Sequence, residues 1–140
     1  MDAFLAREKK SGLHSAAACR ALASRLSSLG RLLRARLGAW RAQGRRIASF
    51  GAAVGITTML YEFGIARLLD FIVDDNPVKQ NTLSPGHRLP VYSSAALYER
   101  KPDYLVLLAW RYADGFMRKN RAFSRQGGRF VLPLPKFRVL

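Results

Sequence analysis

The chain has 140 residues, 49% of them hydrophobic, with 24 basic against 9 acidic side chains and a formal net charge of +15. That is enough for one compact domain and too few for two, and the apolar runs, such as residues 104–110, fall far short of the ~20 residues that a membrane-crossing helix needs. Ordinary Gly and Pro content excludes collagen-like and low-complexity classes, and the single cysteine, Cys19, excludes a disulfide scaffold and makes a reducing, cytoplasmic setting the expectation.

The charge is uneven. Residues 1–46 hold 11 basic and 2 acidic side chains, residues 47–140 hold 13 and 7, and no acid lies between Glu8 and Glu62. A field of this sign favours anionic partners, whether nucleic acid, a membrane surface or a phosphorylated small molecule, and does not choose among them. An arginine-rich solvated helix fits it as well.

In the N-terminal segment, Leu22, Leu26, Leu29, Leu33, Leu37 and Trp40 step by three and four, which is one face of an α-helix. Arg20, Arg25, Arg31, Arg34, Arg36 and Arg41 mostly take the other faces. Ser15 is the candidate N-cap and Gly44 stands where a C-cap would lie, while Gly30 and Gly38 each weaken such a helix by ~1 kcal/mol relative to Ala. The leucine stripe must lie on something, since propensity alone gives marginal stability. The following domain, another chain, a membrane surface and an organelle transit signal are the alternatives. A secretory signal is not indicated, because no unbroken apolar stretch follows Arg7, Lys9 and Lys10. Cys19 reads as a packing residue.

From residue 45 the pattern alternates. A strand over residues 46–50 runs into the small-residue turn Gly51-Ala52-Ala53-Val54-Gly55 and a helix over 56–63 that stops at Gly64. Residues 68–73 form a continuous apolar run, as in a strand buried on both faces, and end in Asp74-Asp75-Asn76-Pro77, which is turn chemistry. A polar loop over 78–88 leads to a short strand over 89–92, a brief helix capped by Ser93 or Ser94, and the most apolar strand, 104–109. A helix over 112–126, the break Gly127-Gly128, a last strand over 129–132, and Pro133 and Pro135 complete the chain. Strands alternating with helices through short loops predict an α/β fold: a Rossmann-like, three-layer domain with a mostly parallel sheet of about five strands, occupying residues 45–140 and preceded by a basic amphipathic helical segment over 1–44. Ligands of such sheets sit beyond the carboxyl ends of the strands. That rim would carry residues 51–58, 74–80, 109–114 and 133–135.

At the rim, the Gly51 turn before a helix resembles a dinucleotide fingerprint: small residues let the backbone approach a phosphate, and the helix start supplies N–H donors. Asp74 follows Gly51 at a spacing near the ~20 residues expected of a ribose-binding acid, and Thr57 and Thr58 add hydroxyls. Against this, the full Gly-x-Gly-x-x-Gly is absent, a tight strand–helix turn uses small residues for packing alone, and Asp74-Asp75-Asn76-Pro77 also reads as a turn held by its own side chains. No Gly-Lys-Ser/Thr occurs, so an NTPase is not indicated. His14 and His87 are the only histidines and, with one cysteine, give no metal-ligand spacing; His87 reads as a surface-turn residue. Trp110, Arg111 and Tyr112, past the central strand, would either stack a base and bind phosphate or pack as a lid.

Residues from about 12 to 140 resemble the C-terminal domain of bacterial S-adenosylmethionine-dependent C-methyltransferases, some of which act on nucleotide-linked deoxysugars. The likeness is carried by Gly44-Arg45-Arg46-Ile47-Ala48-Ser49-Phe50-Gly51-Ala52-Ala53-Val54-Gly55-Ile56-Thr57-Thr58, by Phe71-Ile72-Val73-Asp74-Asp75-Asn76-Pro77-Val78-Lys79-Gln80, by Ser84-Pro85-Gly86-His87 with Leu89-Pro90-Val91, by Lys101-Pro102-Asp103-Tyr104 with Leu108-Ala109-Trp110, and by Gly127-Gly128-Arg129-Phe130 with Pro133-Leu134-Pro135. The resemblance implies a domain that helps to hold the substrate, a sugar nucleotide, while a zinc-binding region, a cofactor domain and the catalytic acid/base residues lie elsewhere in the enzyme. None of those has a counterpart in these 140 residues: the zinc cysteines are absent, and Phe50–Gly55 lacks the Gly-x-Gly cofactor motif and its preceding acid.

The expectation is therefore a separate C-terminal module, from a split gene, a frameshifted remnant or a truncated reading frame. It would bind a nucleotide-sugar or other phosphorylated small molecule through Gly51, Ala52, Ala53, Gly55, Thr57, Thr58, Asp74, Asn76, Lys79 and Trp110. It would have no catalytic residue, no metal and no cofactor of its own, S-adenosylmethionine being implied for the full-length family. The alternative is an interaction subunit whose N-terminal helix docks on a separately encoded methyltransferase chain. Nucleic-acid binding through the basic helix ranks last, since no recognised reading motif accompanies the charge.

Overall fold

The computed structural model describes residues 2–12 and 15–140. In chain order the elements are α1 (Asp2–Ser11), α2 (Ala16–Ala42), β1 (Ile47–Phe50), α3 (Val54–Phe63), β2 (Phe71–Val73), β3 (Thr82–Leu83), β4 (Pro90–Tyr92), α4 (Ala96–Glu99), β5 (Tyr104–Leu107), α5 (Ala113–Lys119), α6 (Arg121–Arg125), β6 (Arg129–Leu132) and β7 (Arg138–Val139). The sheet order is β3-β4-β2-β1-β5-β6-β7. Its five inner strands, β4, β2, β1, β5 and β6, are all parallel, and the two edge strands pair antiparallel. The chain leaves β1 to one side for β2 and β4, then crosses to the other side for β5 and β6. The switch point therefore lies between β1 and β5.

The period-two alternation of strand side chains builds a core on each face. Ile47, Ile72, Val106 and Val131 face Leu33 and Leu37 of α2 and Ile56, Leu60 and Phe63 of α3. Ala48, Phe50, Phe71, Val73, Leu105 and Leu107 face Leu97 of α4, Phe116 of α5 and Phe123 of α6. Helices on both faces of one sheet give the three layers predicted.

The long helix begins where expected: Ser15 accepts from the Ala18 N–H at 3.1 Å, and Gly44, just past the C-cap Gln43, has φ +75°. Its second half belongs to the core. Gly30, Leu33 and Leu37 are buried, the Arg34 guanidinium donates to the Phe63 carbonyl at the end of α3 at 2.6 Å, and Trp40 stacks on Tyr104 with ring centroids 3.8 Å apart. Gly30 gives up helix propensity for a close crossing: a Cβ there would come 3.3 Å from the Phe63 ring. In the first half of α2, Leu26 and Leu29 still pack against the edge of that core, while Leu22 is 59% exposed.

Several boundaries differ from expectation. The predicted 68–73 strand is shorter, because residues 66–68 form a 3₁₀ turn before β2. The polar loop 78–88 contains β3, and β7 follows the prolines; both are two-residue edge strands with exposed side chains, so no alternation marks them. The 112–126 helix breaks at Asn120, which is buried and donates from its side-chain amide to the Phe116 carbonyl at 3.0 Å, and residues 110–112 form a separate 3₁₀ turn.

Truncating Leu37, which is fully buried, to Ala is expected to cost about 2–5 kcal/mol in urea unfolding. Leu22→Ala, in the exposed half of the same helix, is expected to stay within about 0.5 kcal/mol of wild type.

Candidate functional site

The rim at the carboxyl ends of the parallel strands is built around β1. Gly51, the first residue beyond it, has φ +106°, and a Cβ there would lie 2.8 Å from the Ala109 Cβ. Only glycine satisfies both the left-handed backbone and that approach. The Ala109 N–H donates to the Phe50 carbonyl at 3.1 Å, so the ends of β1 and β5 are in direct contact at the switch point.

On the other side of β1, Asp74 is 8% exposed and its carboxylate is occupied. Oδ2 accepts from the Ala52 N–H at 2.7 Å and Oδ1 from the Asn76 N–H at 2.9 Å, while the Lys79 ammonium lies 3.3 Å from Oδ2. The Gln80 side-chain amide donates to the Asp74 carbonyl at 3.0 Å. Asn76 in turn accepts from the Val78 N–H at 3.1 Å, an Asx turn. Gly51 and Asp74 thus share one rim, and the acid closes the turn beside the glycine.

The remaining predicted residues spread along this rim. Ala53, Gly55 and Thr58 are exposed and Thr57 is half-buried, all on the first turns of α3 or just before them; no side chain caps that helix. Thr57, Lys79, Gly51 and Ala52 line a cavity of about 50 Å³ reaching Ser84, room for a few waters and too little for a sugar ring. Trp110 lies past β5, away from that cavity, and carries the Arg111 guanidinium 5.4 Å from its ring centroid. His87 lies in the turn between β3 and β4, its ring tilted against Tyr61 with centroids 4.3 Å apart, and does not line that cavity; His14 lies outside the described residues. No group of three or more potential metal ligands occurs among the described residues.

The larger opening lies on the α5 side of the rim, a cleft of about 540 Å³ bounded by Phe50, Asp75, Arg111, Tyr112, Phe116 and Arg118. Asp75 accepts from the Ser94 hydroxyl and pairs with the Lys119 ammonium at 3.0 Å. Partial burial opposes its ionisation, but the Ser94 hydrogen bond and Lys119 outweigh that and hold its carboxyl below the usual value. The Asp75–Ser94–Lys119 bracket escapes sequence reasoning because its members come from separate elements, and Arg118 because only the packing of α5 brings it to the cleft.

The family model of the C-methyltransferase C-terminal domain matches residues 1–135. The chain is also similar to the C-methyltransferase NovU of Streptomyces niveus, at 34% identity over 100 residues, which is 71% of this chain and 24% of that protein. The chain spans about a quarter of the length of this relative.

Because the folded-state pKa of Asp75 is lowered, its bracket stabilises the protein above the unfolded-state value of about 3.9 and is lost as the pH falls through the folded-state value. Wild type is expected to melt above Asp75→Asn at pH 6, and the gap is expected to close on acidification below about pH 4. Thermal melts across that range check it; a gap independent of pH would refute it.

Proposed function

Since the chain belongs to the family of C-methyltransferase C-terminal domains, we propose that it is the substrate-holding module of an S-adenosylmethionine-dependent C-methyltransferase. Its substrate is a nucleotide-linked sugar, and methyl transfer is carried out by another part of the enzyme. The observation that carries this reading is the open cleft at the switch point of a parallel sheet, at the carboxyl ends of the strands, where ligands of such sheets bind. A net charge of +15 suits the diphosphate of such a substrate.

Gly51, Ala52 and Asp74 shape the rim from beneath on this reading. Ala53, Gly55, Thr57, Thr58, Asn76, Lys79 and Trp110 stand nearer its surface. The same residues do not fit S-adenosylmethionine. An adenosine ribose in such a sheet takes an acid at the end of β2, and here that acid is bonded to Ala52, Asn76 and Lys79. The cofactor's place is therefore in another domain.

A second reading is supported by the first half of α2. Leu22 is exposed there, and Leu26 and Leu29, which pack against the edge of the core, keep part of their surface open; this face suits docking on a methyltransferase chain, fused or separately encoded. The two readings are compatible.

Calorimetry on the 140-residue protein separates the module from an independent enzyme. Binding of a uridine or thymidine diphosphate sugar without binding of S-adenosylmethionine is expected. Tight S-adenosylmethionine binding with turnover by this chain alone, or no binding of either nucleotide sugar, would overturn the proposal.

A further inference from the structure

Not every basic side chain on this protein is free to meet an anion. Arg41 is 2.8 Å from Asp70, Arg45 is 2.9 Å from Asp103, Lys79 is 3.3 Å from Asp74 and Lys119 is 3.0 Å from Asp75. On the α5 side of the rim, by contrast, Arg111 and Arg118 have no carboxylate within ion-pair reach among the described residues. Both are exposed, and both line the cleft of about 540 Å³, a size within the ~300–1,000 Å³ of ligand pockets. Tyr112, next to Arg111 in the chain, lines the same cleft and is 73% exposed, an aromatic ring left in water.

The turn beside Gly51 offers the opposite. The Ala52 and Asn76 N–H groups already donate to the Asp74 carboxylate. A phosphate approaching these donors would have to displace that carboxylate and would meet its negative charge. The turn resembles a phosphate loop in sequence, but its own acid fills the anion's place.

We infer that, within the substrate-holding role proposed above and resting on it, the nucleoside diphosphate half of the substrate lies in the α5-side cleft, with its base on Tyr112 and its phosphates on Arg111 and Arg118. An exposed aromatic ring is a stacking platform for any base, and guanidinium forks match phosphate oxygens. Trp110 holds Arg111 by its ring face, which orders the guanidinium before the ligand arrives. The cleft's acids, Asp75 and Asp114, are outnumbered by Arg111, Arg118 and Lys119. The sugar then points from the cleft toward whatever domain performs the chemistry.

The test is calorimetry of the 140-residue protein with UDP and with dTDP, free of any sugar. Tyr112→Ala and Arg111→Ala are each expected to weaken binding by about tenfold or more. Tyr112→Phe, which keeps the stacking face, and Arg67→Ala, in the exposed turn ahead of β2 at the opposite end of the sheet, are expected to bind within about threefold of wild type. All three side chains are exposed or half-buried, and matching circular dichroism confirms that each of the four variants folds. If wild type binds UDP or dTDP and the Tyr112 and Arg111 variants bind equally well, this placement is wrong and the substrate-holding role stands. The same holds if an intact nucleotide sugar binds but neither nucleoside diphosphate does. If no nucleotide sugar binds either, both fail.

Discussion

The Asp74 carboxylate organises the whole carboxyl edge of the sheet. It joins the turn after β1, through the Ala52 N–H, to the turn after β2, through the Asn76 N–H, and keeps Lys79 against both. Hydrogen bonds to a charged group contribute roughly 1.5–3 kcal/mol each, and a carboxylate so nearly buried would be costly without them. With Gly51 pressed on Ala109 on the other side, the ends of β2, β1 and β5 form one connected unit. Whatever binds at this edge meets a preformed surface, in which the Gly51 and Ala52 N–H groups already have acceptors.

Two further aspartates do the same at the opposite end of β1. Asp70, just before β2, accepts from the Ile47 N–H and pairs with Arg41. Asp103, just before β5, accepts from the Arg46 N–H and pairs with Arg45; partial burial opposes its ionisation, but these donors hold its carboxyl below the usual range. The central strand is thus gripped at both ends by carboxylates from its two neighbours, and each carboxylate neutralises a cation on the way. These pairings account for part of the arginine content as internal clamps and leave the rim cations Arg111 and Arg118 as the ones open to an anion.

The layers were legible from the sequence because they rest on local pattern: short apolar runs at β1, β2 and β5 bounded by turn residues, and leucines three and four apart in α2. The edge strands β3 and β7 were not, since two exposed residues carry no pattern and pair only through their neighbours. The break at Asn120 was hidden because Phe116 and Phe123 keep helical spacing on both sides of it. At the rim, the spacing of Gly51 and Asp74 placed them on one edge, but spacing alone could not decide between an acid that meets a ribose and an acid that closes its own turn. That depends on the Ala52 N–H, 22 residues away, a contact that only the folded chain defines. Arg118 was invisible for a similar reason, since its place beside Arg111 follows from how α5 packs on Phe50.

The central claim is that the Asp74-closed turn is scaffold and the α5 side of the rim is the binding surface. Backbone amide NMR spectra of the protein, recorded while UDP is added, address it most directly. The account predicts that the amides of Arg111, Tyr112 and Phe116 shift with saturation while those of Ala52 and Asn76 hold their positions. Shifts concentrated at Ala52, Ala53 and Asn76, with residues 111–118 unmoved, would contradict it.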